Sequence, residues 1–215
     1  KIVEFEEKPA NPKSNLASMG IYVFNWKKLR EYLVEGYEQG EDMVDFGKNV
    51  IPAYLANDEK VYAFAFRNYW RDVGTIQSLW QANMELLERD NELNLSDRAW
   101  RIYSHSTNQN PMYVAQEAQI HDSLMVDAVY VAGRVSHSLI STGVTVEDHA
   151  VVDHSVIMPG AKIGAGAAVS YAIVGESAVV APGAVIVGTP DDIAVVGCDE
   201  YYAETQVNEG VLSNA

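Results

Sequence analysis

The sequence predicts an α/β segment over residues 1–88, a linker over 89–115 and a three-sided parallel β-helix over 116–190. Three observations carry this prediction. Short apolar, β-rich runs alternate with helical spacing up to Leu87. A polar, Asn-rich stretch follows. Val and Ile then recur from Val129 to Ile186 with a period that closes every 17 residues.

The α/β elements read in order as follows. Ile2 to Glu7 alternates apolar and acidic residues, an extended pattern. Pro9, Asn11, Pro12 and Asn15 make a loop, and Ser18 to Phe24 is a short buried-strand pattern. Trp26 to Glu38 places Leu29, Tyr32 and Leu33 at helical spacing. Asp45 is an N-cap for a second helix, which Pro52 should bend. Val61 to Phe66 is a further strand, Tyr69 to Gly74 a turn, and Thr75 caps a last helix reaching Leu87. Trp80 and Met84 on that helix read as core. This stretch is short for a complete open sheet. Lys1 also falls inside a strand pattern without an initiator Met or targeting signal, so the chain is expected to be a piece of a longer protein. In the linker, Trp100, Ile102 and Tyr103 are expected to pack it down, and His105 to be solvated.

In the β-helix the steps between aliphatics are two of six and one of five, as three sides of a triangle. Val135, Val152, Val169 and Ile186 should form one column; Ile140, Ile157 and Val174 a second; Val146, Ile163 and Val180 a third. His137, His154 and Tyr171 share the 17-residue spacing and read as an outward ladder rather than an acyltransferase site. The acidic tail from Asp191 to Ala215 loses the period, so a neighbour orders it or part of it is disordered.

Composition excludes several classes. The chain has 215 residues, 48% hydrophobic, and a net charge of −15, which disfavours nucleic-acid binding. One cysteine, Cys198, excludes a disulfide framework. No apolar run approaches the ~20 residues of a bilayer span. Of the 15 basic residues only Arg134 and Lys162 follow Arg101. A phosphorylated substrate is therefore expected on the first part.

The strings EFEEKP (Glu4 to Pro9), LASMGIYVF (Leu16 to Phe24), DFGKNVIP (Asp45 to Pro52) and YWRDVGTIQSLWQANMELL (Tyr69 to Leu87) occur in this order ahead of the β-helix. Together they closely resemble bacterial glucose-1-phosphate adenylyltransferases (ADP-glucose pyrophosphorylases). The resemblance implies a partial Rossmann-like mixed sheet followed by a left-handed β-helix. It implies synthesis of ADP-glucose from ATP and glucose 1-phosphate for glycogen, with Mg²⁺, in a cytoplasmic, allosteric tetramer or a hetero-oligomer with a paralogous subunit. It further implies that Glu7, Lys8, Ser18 and Gly20 bind glucose 1-phosphate and that Asp72 is the catalytic, metal-holding carboxylate.

The residue chemistry agrees. Lys8 is a compact cation suited to phosphate, Glu7 accepts from sugar hydroxyls, and Gly20 lets backbone approach a ligand. A carboxylate at Asp72 suits Mg²⁺ bridging phosphates, against a role in bonding the helix start at Thr75. Arg71 pairs with Asp72 or with a neighbour. No Gly-rich phosphate loop and no second metal carboxylate is identifiable, so this piece alone is expected to be inactive. Rival readings are a transferase using another nucleotide, a non-catalytic regulatory subunit, and a β-helix acyltransferase or assembly module.

Overall fold

The computed structural model describes residues 1–40, 43–95, 97–103 and 108–207. His105 and the end of the tail lie outside them. The chain divides into two compact units, Lys1–Arg67 and Asn68–Ala215.

The first unit is built on helices. Asn25 caps α1 (Trp26–Glu38) by accepting from the Lys28 N–H. Asp45 caps a π-helical turn, Phe46–Val50, that runs directly into α2 (Ile51–Ala56). Pro52 produces this change of winding: it lacks the N–H that would continue the preceding turn, and it sits harmlessly at the start of α2. Leu29, Val50 and Tyr54 form the core, with Phe24, Tyr32, Leu33, Met43 and Val61 packed around them.

The three strands expected in this unit do not form. Among the described residues no β-ladder occurs before Tyr113. Ile2 donates its N–H to the Val61 carbonyl at 2.8 Å, but a strand needs a continuous run of such bonds to a neighbour. Nothing described in the unit supplies that neighbour for Ile2–Glu7, Ser18–Phe24 or Val61–Phe66. Val3, Ile21, Val23 and Phe64 accordingly stay exposed.

The second unit opens with α3 (Ile76–Met84), capped by Thr75 and continued by a 3₁₀ turn, Glu85–Leu87. The segment beyond it departs from expectation: Trp100, Ile102 and Tyr103 are exposed. They join none of the three buried apolar clusters.

From Tyr113 the chain winds into a parallel β-solenoid. One sheet stacks Tyr113–Val114, Tyr130–Val131, Thr145–Val146, Lys162–Ile163, Val179–Val180 and Tyr201–Tyr202. A second stacks Gln119–His121, Arg134–Ser136, Val151–Asp153, Ala168–Ser170, Val185–Val187 and Thr205–Val207. A third stacks Leu124–Met125, Leu139–Ile140, Val156–Ile157, Ala172–Val174 and Ala194–Val196. The expected columns are the observed registers: Val135, Val152, Val169 and Ile186 lie side by side, as do Ile140, Ile157 and Val174, and Val146, Ile163 and Val180. Their side chains fill one continuous interior.

Before the tail the period breaks twice. Tyr130 pairs with Thr145, so that coil is shorter, and Val131 rather than Val129 lies beside Val146. Gly133 makes the short corner possible. A Cβ there would sit 2.3 Å from the Ala150 carbonyl oxygen. Between Val187 and Ala194 the chain makes a longer excursion, closed by a Thr189–Asp192 bridge. The tail loses the period as expected, yet its strands continue to pair through Val207.

The excursion serves α3. Trp80 with Leu139, Val156, Ile173 and Ile193 forms a second apolar cluster, joined by Leu79, Met84 and Leu86. Gln77 on α3 donates to the Pro190 carbonyl. Residues 139, 156 and 173 point away from the solenoid interior and are covered by the helix. Trp80 and Met84 are thus core, as the spacing suggested.

Candidate functional site

In the first unit the π-helical turn lies against one of the residues expected to bind the sugar phosphate. The Glu7 carboxylate lies against Gly47: a Cβ on Gly47 would meet Glu7 Oε2 at 2.3 Å. Only glycine lets the acid settle there. Asp45 accepts the Lys48 N–H at 2.8 Å. That bond, with further help from the Gly47 N–H and the charges of Lys48 and Lys8, holds the Asp45 carboxyl below its ordinary value against desolvation. Asp45 is therefore a cap, as the sequence reading preferred.

Lys8 adopts φ 47°, the left-handed region that non-glycine residues rarely occupy. Its ammonium is 3.8 Å from Glu7 Oε1 and its side chain is 86% exposed. A cation so placed is held near a carboxylate without being neutralised by it, and remains open to a phosphate.

Ser18 Oγ accepts the Gly20 N–H at 3.2 Å and lies 2.9 Å from the Tyr22 hydroxyl. Gly20 has φ 71° and open space where a side chain would be. The Tyr22 ring sits 5.9 Å from Phe46, whose neighbour Gly47 touches Glu7. Glu7 and the Tyr22 ring thus each lie beside the Phe46–Gly47 turn, and Ser18 meets Tyr22 through its hydroxyl. Together with Lys8 they offer a cation, hydroxyls and a carboxylate acceptor, the groups a phosphorylated polyol requires. Tyr22 was missed in the sequence. Residue spacing gave no signal for it, because the contact between the Tyr22 and Ser18 hydroxyls spans the left-handed bend at Gly20.

Asp72 belongs to the second unit. Its Oδ1 accepts the Gly74 N–H at 3.0 Å, one residue before the Thr75 cap. Thr75 and Ser78 then cap each other's N–H groups at 3.1 Å. Asp72 Oδ2 bonds to no described residue. Arg71 turns to the neighbour rather than to Asp72. Its guanidinium grips Glu85 through Nη2 and through Nε at 3.1 Å, and Tyr69 donates to the same carboxylate at 2.8 Å. The Arg71 bond holds the Glu85 carboxyl below its ordinary value; partial burial opposes this and Tyr69 assists. Burial, then Glu85, pushes the Tyr69 phenol up.

Among the described residues no group of three or more His, Cys, Asp or Glu side chains is placed to hold a metal. Mg²⁺ commonly binds through one or two carboxylates with water and substrate phosphates. An exposed carboxylate with one uncommitted oxygen fits that partial role.

The outward ladder is present. The His137 and His154 rings stack at 4.7 Å, as do those of His154 and Tyr171. His137 Nδ1 lies 3.0 Å from Asp122 and His154 Nδ1 lies 2.8 Å from Asp153. Burial raises the Asp153 carboxyl, but Ser136 and His154 outweigh it and hold the group low.

Comparison with known families divides the chain beyond α3 and its 3₁₀ turn, later than the boundary between the two compact units at Arg67. Residues 1–89 match the nucleotidyl transferase family model. Residues 108–194 match the model of the GlmU-like C-terminal hexapeptide. The chain therefore carries a helix-bearing nucleotidyl transferase segment followed by a parallel solenoid that matches the left-handed hexapeptide-repeat β-helix. The order of the two supports a sugar-nucleotide transferase. Among the described residues no helix is long and apolar enough to cross a membrane.

Proposed function

We propose that this chain supplies the sugar-phosphate side of a glucose-1-phosphate adenylyltransferase, which makes ADP-glucose and pyrophosphate from ATP and glucose 1-phosphate for glycogen synthesis. The observation that carries the reading is the Lys8 ammonium, exposed beside Glu7 in a segment that matches nucleotidyl transferases. Four ordered sequence strings support the adenylyl and glucose assignments over other sugar-nucleotide pairs.

Lys8 binds and orients the phosphate of glucose 1-phosphate, one of whose oxygens attacks the α-phosphorus of ATP. Glu7, Ser18 and Gly20 hold the sugar by hydrogen bonds from its hydroxyls and to its oxygens. Asp72 would be one ligand of a Mg²⁺ ion, which supplies charge neutralisation at the phosphates when bound. The protein works in the cytoplasm, as a homotetramer or with a paralogous subunit. The single, exposed Cys198 accords with a reducing compartment.

The test is pyrophosphate release by the full-length protein carrying this segment, with glucose 1-phosphate and each nucleoside triphosphate in turn. ATP should be strongly preferred, and the 215-residue chain alone should release none. Preference for thymidine or guanosine triphosphate would replace the adenylyl assignment.

A further inference from the structure

The loop that carries Asp72 is anchored at both ends to α3. At one end Thr75 caps the helix. At the other, Glu85, just past the helix C-terminus, receives Tyr69 at 2.8 Å and Arg71 through two nitrogens. Residues 69–74 are thereby tied back along the helix they precede. The helix itself is fixed: Trp80, 9% exposed, sits on Leu139, Val156 and Ile173 of the solenoid and donates to the His154 carbonyl at 2.8 Å. The Glu85 side chain is 19% exposed against 50% for Arg71, so the acid is the better-shielded member of the pair. A bidentate guanidinium–carboxylate contact fixes direction as well as distance.

We propose that Glu85 is a positioning residue for Asp72, and that the β-solenoid is the rigid base against which it works. Glu85 has no reason from its own chemistry to meet substrate, since Arg71 and Tyr69 occupy its oxygens. It acts by fixing the backbone at Arg71, and hence the direction of the next side chain. The solenoid then contributes to the site as well as to assembly. This inference rests on the reading of Asp72 given above.

The test compares Asp72→Asn, Glu85→Gln and Tyr69→Phe in the full-length protein. It uses Mn²⁺ affinity by electron paramagnetic resonance, steady-state kinetics and thermal midpoint. Glu85→Gln should weaken Mn²⁺ binding and lower kcat by about tenfold or more, the usual cost of loosening a group that orients a metal ligand, with the KM for glucose 1-phosphate unchanged. Tyr69→Phe, which leaves the ion pair in place, should move both in the same direction by less. If Glu85→Gln also lowers the thermal midpoint, Tyr69→Phe decides. Unchanged Mn²⁺ affinity and kcat in Glu85→Gln and Tyr69→Phe, with both lost in Asp72→Asn, would overturn the positioning role and leave the proposed function standing. Asp72→Asn without effect would instead remove the reading of Asp72 itself.

Discussion

The Trp80 indole N–H bonds the His154 carbonyl at 2.8 Å, and the Trp80 ring lies 5.9 Å from Tyr171, the last member of the stacked ladder. A residue on the helix after the Asp72 loop is thereby seated on the solenoid, and the ladder beside it has a structural use.

Removing that seat should be costly. Trp80→Ala empties the middle of the cluster and should destabilise the second unit by about 3–5 kcal/mol. Trp80→Phe keeps most of the packing and loses the hydrogen bond, at about 1 kcal/mol. Chemical denaturation measures both; an unaltered midpoint in Trp80→Ala would show that the helix does not bear on the solenoid.

The solenoid interior makes an equally direct prediction. Ile157, fully buried between Ile140 and Val174, should cost about 2–5 kcal/mol when cut to Ala. Gly133→Ala adds only one carbon, yet that carbon would overlap the Ala150 carbonyl. It should therefore destabilise, whereas alanine is ordinarily the safer residue. Thermal melts of the two variants separate loss of packing from backbone collision.

Acid should loosen the Tyr69–Arg71–Glu85 tie. The folded Glu85 carboxyl lies below its ordinary value, so the unfolded chain binds its proton first. The stabilisation is complete above the ordinary carboxylate range and disappears as pH falls through the lower folded value. Unfolding free energy should fall more steeply with acid in the wild type than in Glu85→Gln. Parallel slopes would mean that the contact is not maintained in solution.

What the sequence revealed follows from how local each signal is. The solenoid was legible because every coil repeats the same demand for a small aliphatic at the same place. The one misplaced position, Val129 against Val131, arose because both are valines at a corner whose shortening depends on backbone approach at Gly133. Caps at Asp45 and Thr75 were legible because they act within three residues. The strands of the first unit were not, since alternation at Ile2–Glu7 shows which residues favour extension but not whether a partner is there. Trp100 and Tyr103 show the converse: an aromatic residue in the sequence does not by itself secure burial. In the candidate site Glu7 and Lys8 were recognisable from their string. The choice of Arg71 between Asp72 and Glu85 depended on a helix folding back, which spacing alone does not fix.

The most direct test of the sugar-phosphate assignment is Lys8→Ala in the full-length protein, with KM measured separately for glucose 1-phosphate and for ATP. Loss of an exposed cation that meets only the sugar phosphate should raise the first constant far more than the second. Equal increases in both, or none in either, would contradict the assignment of Lys8 as the anchor.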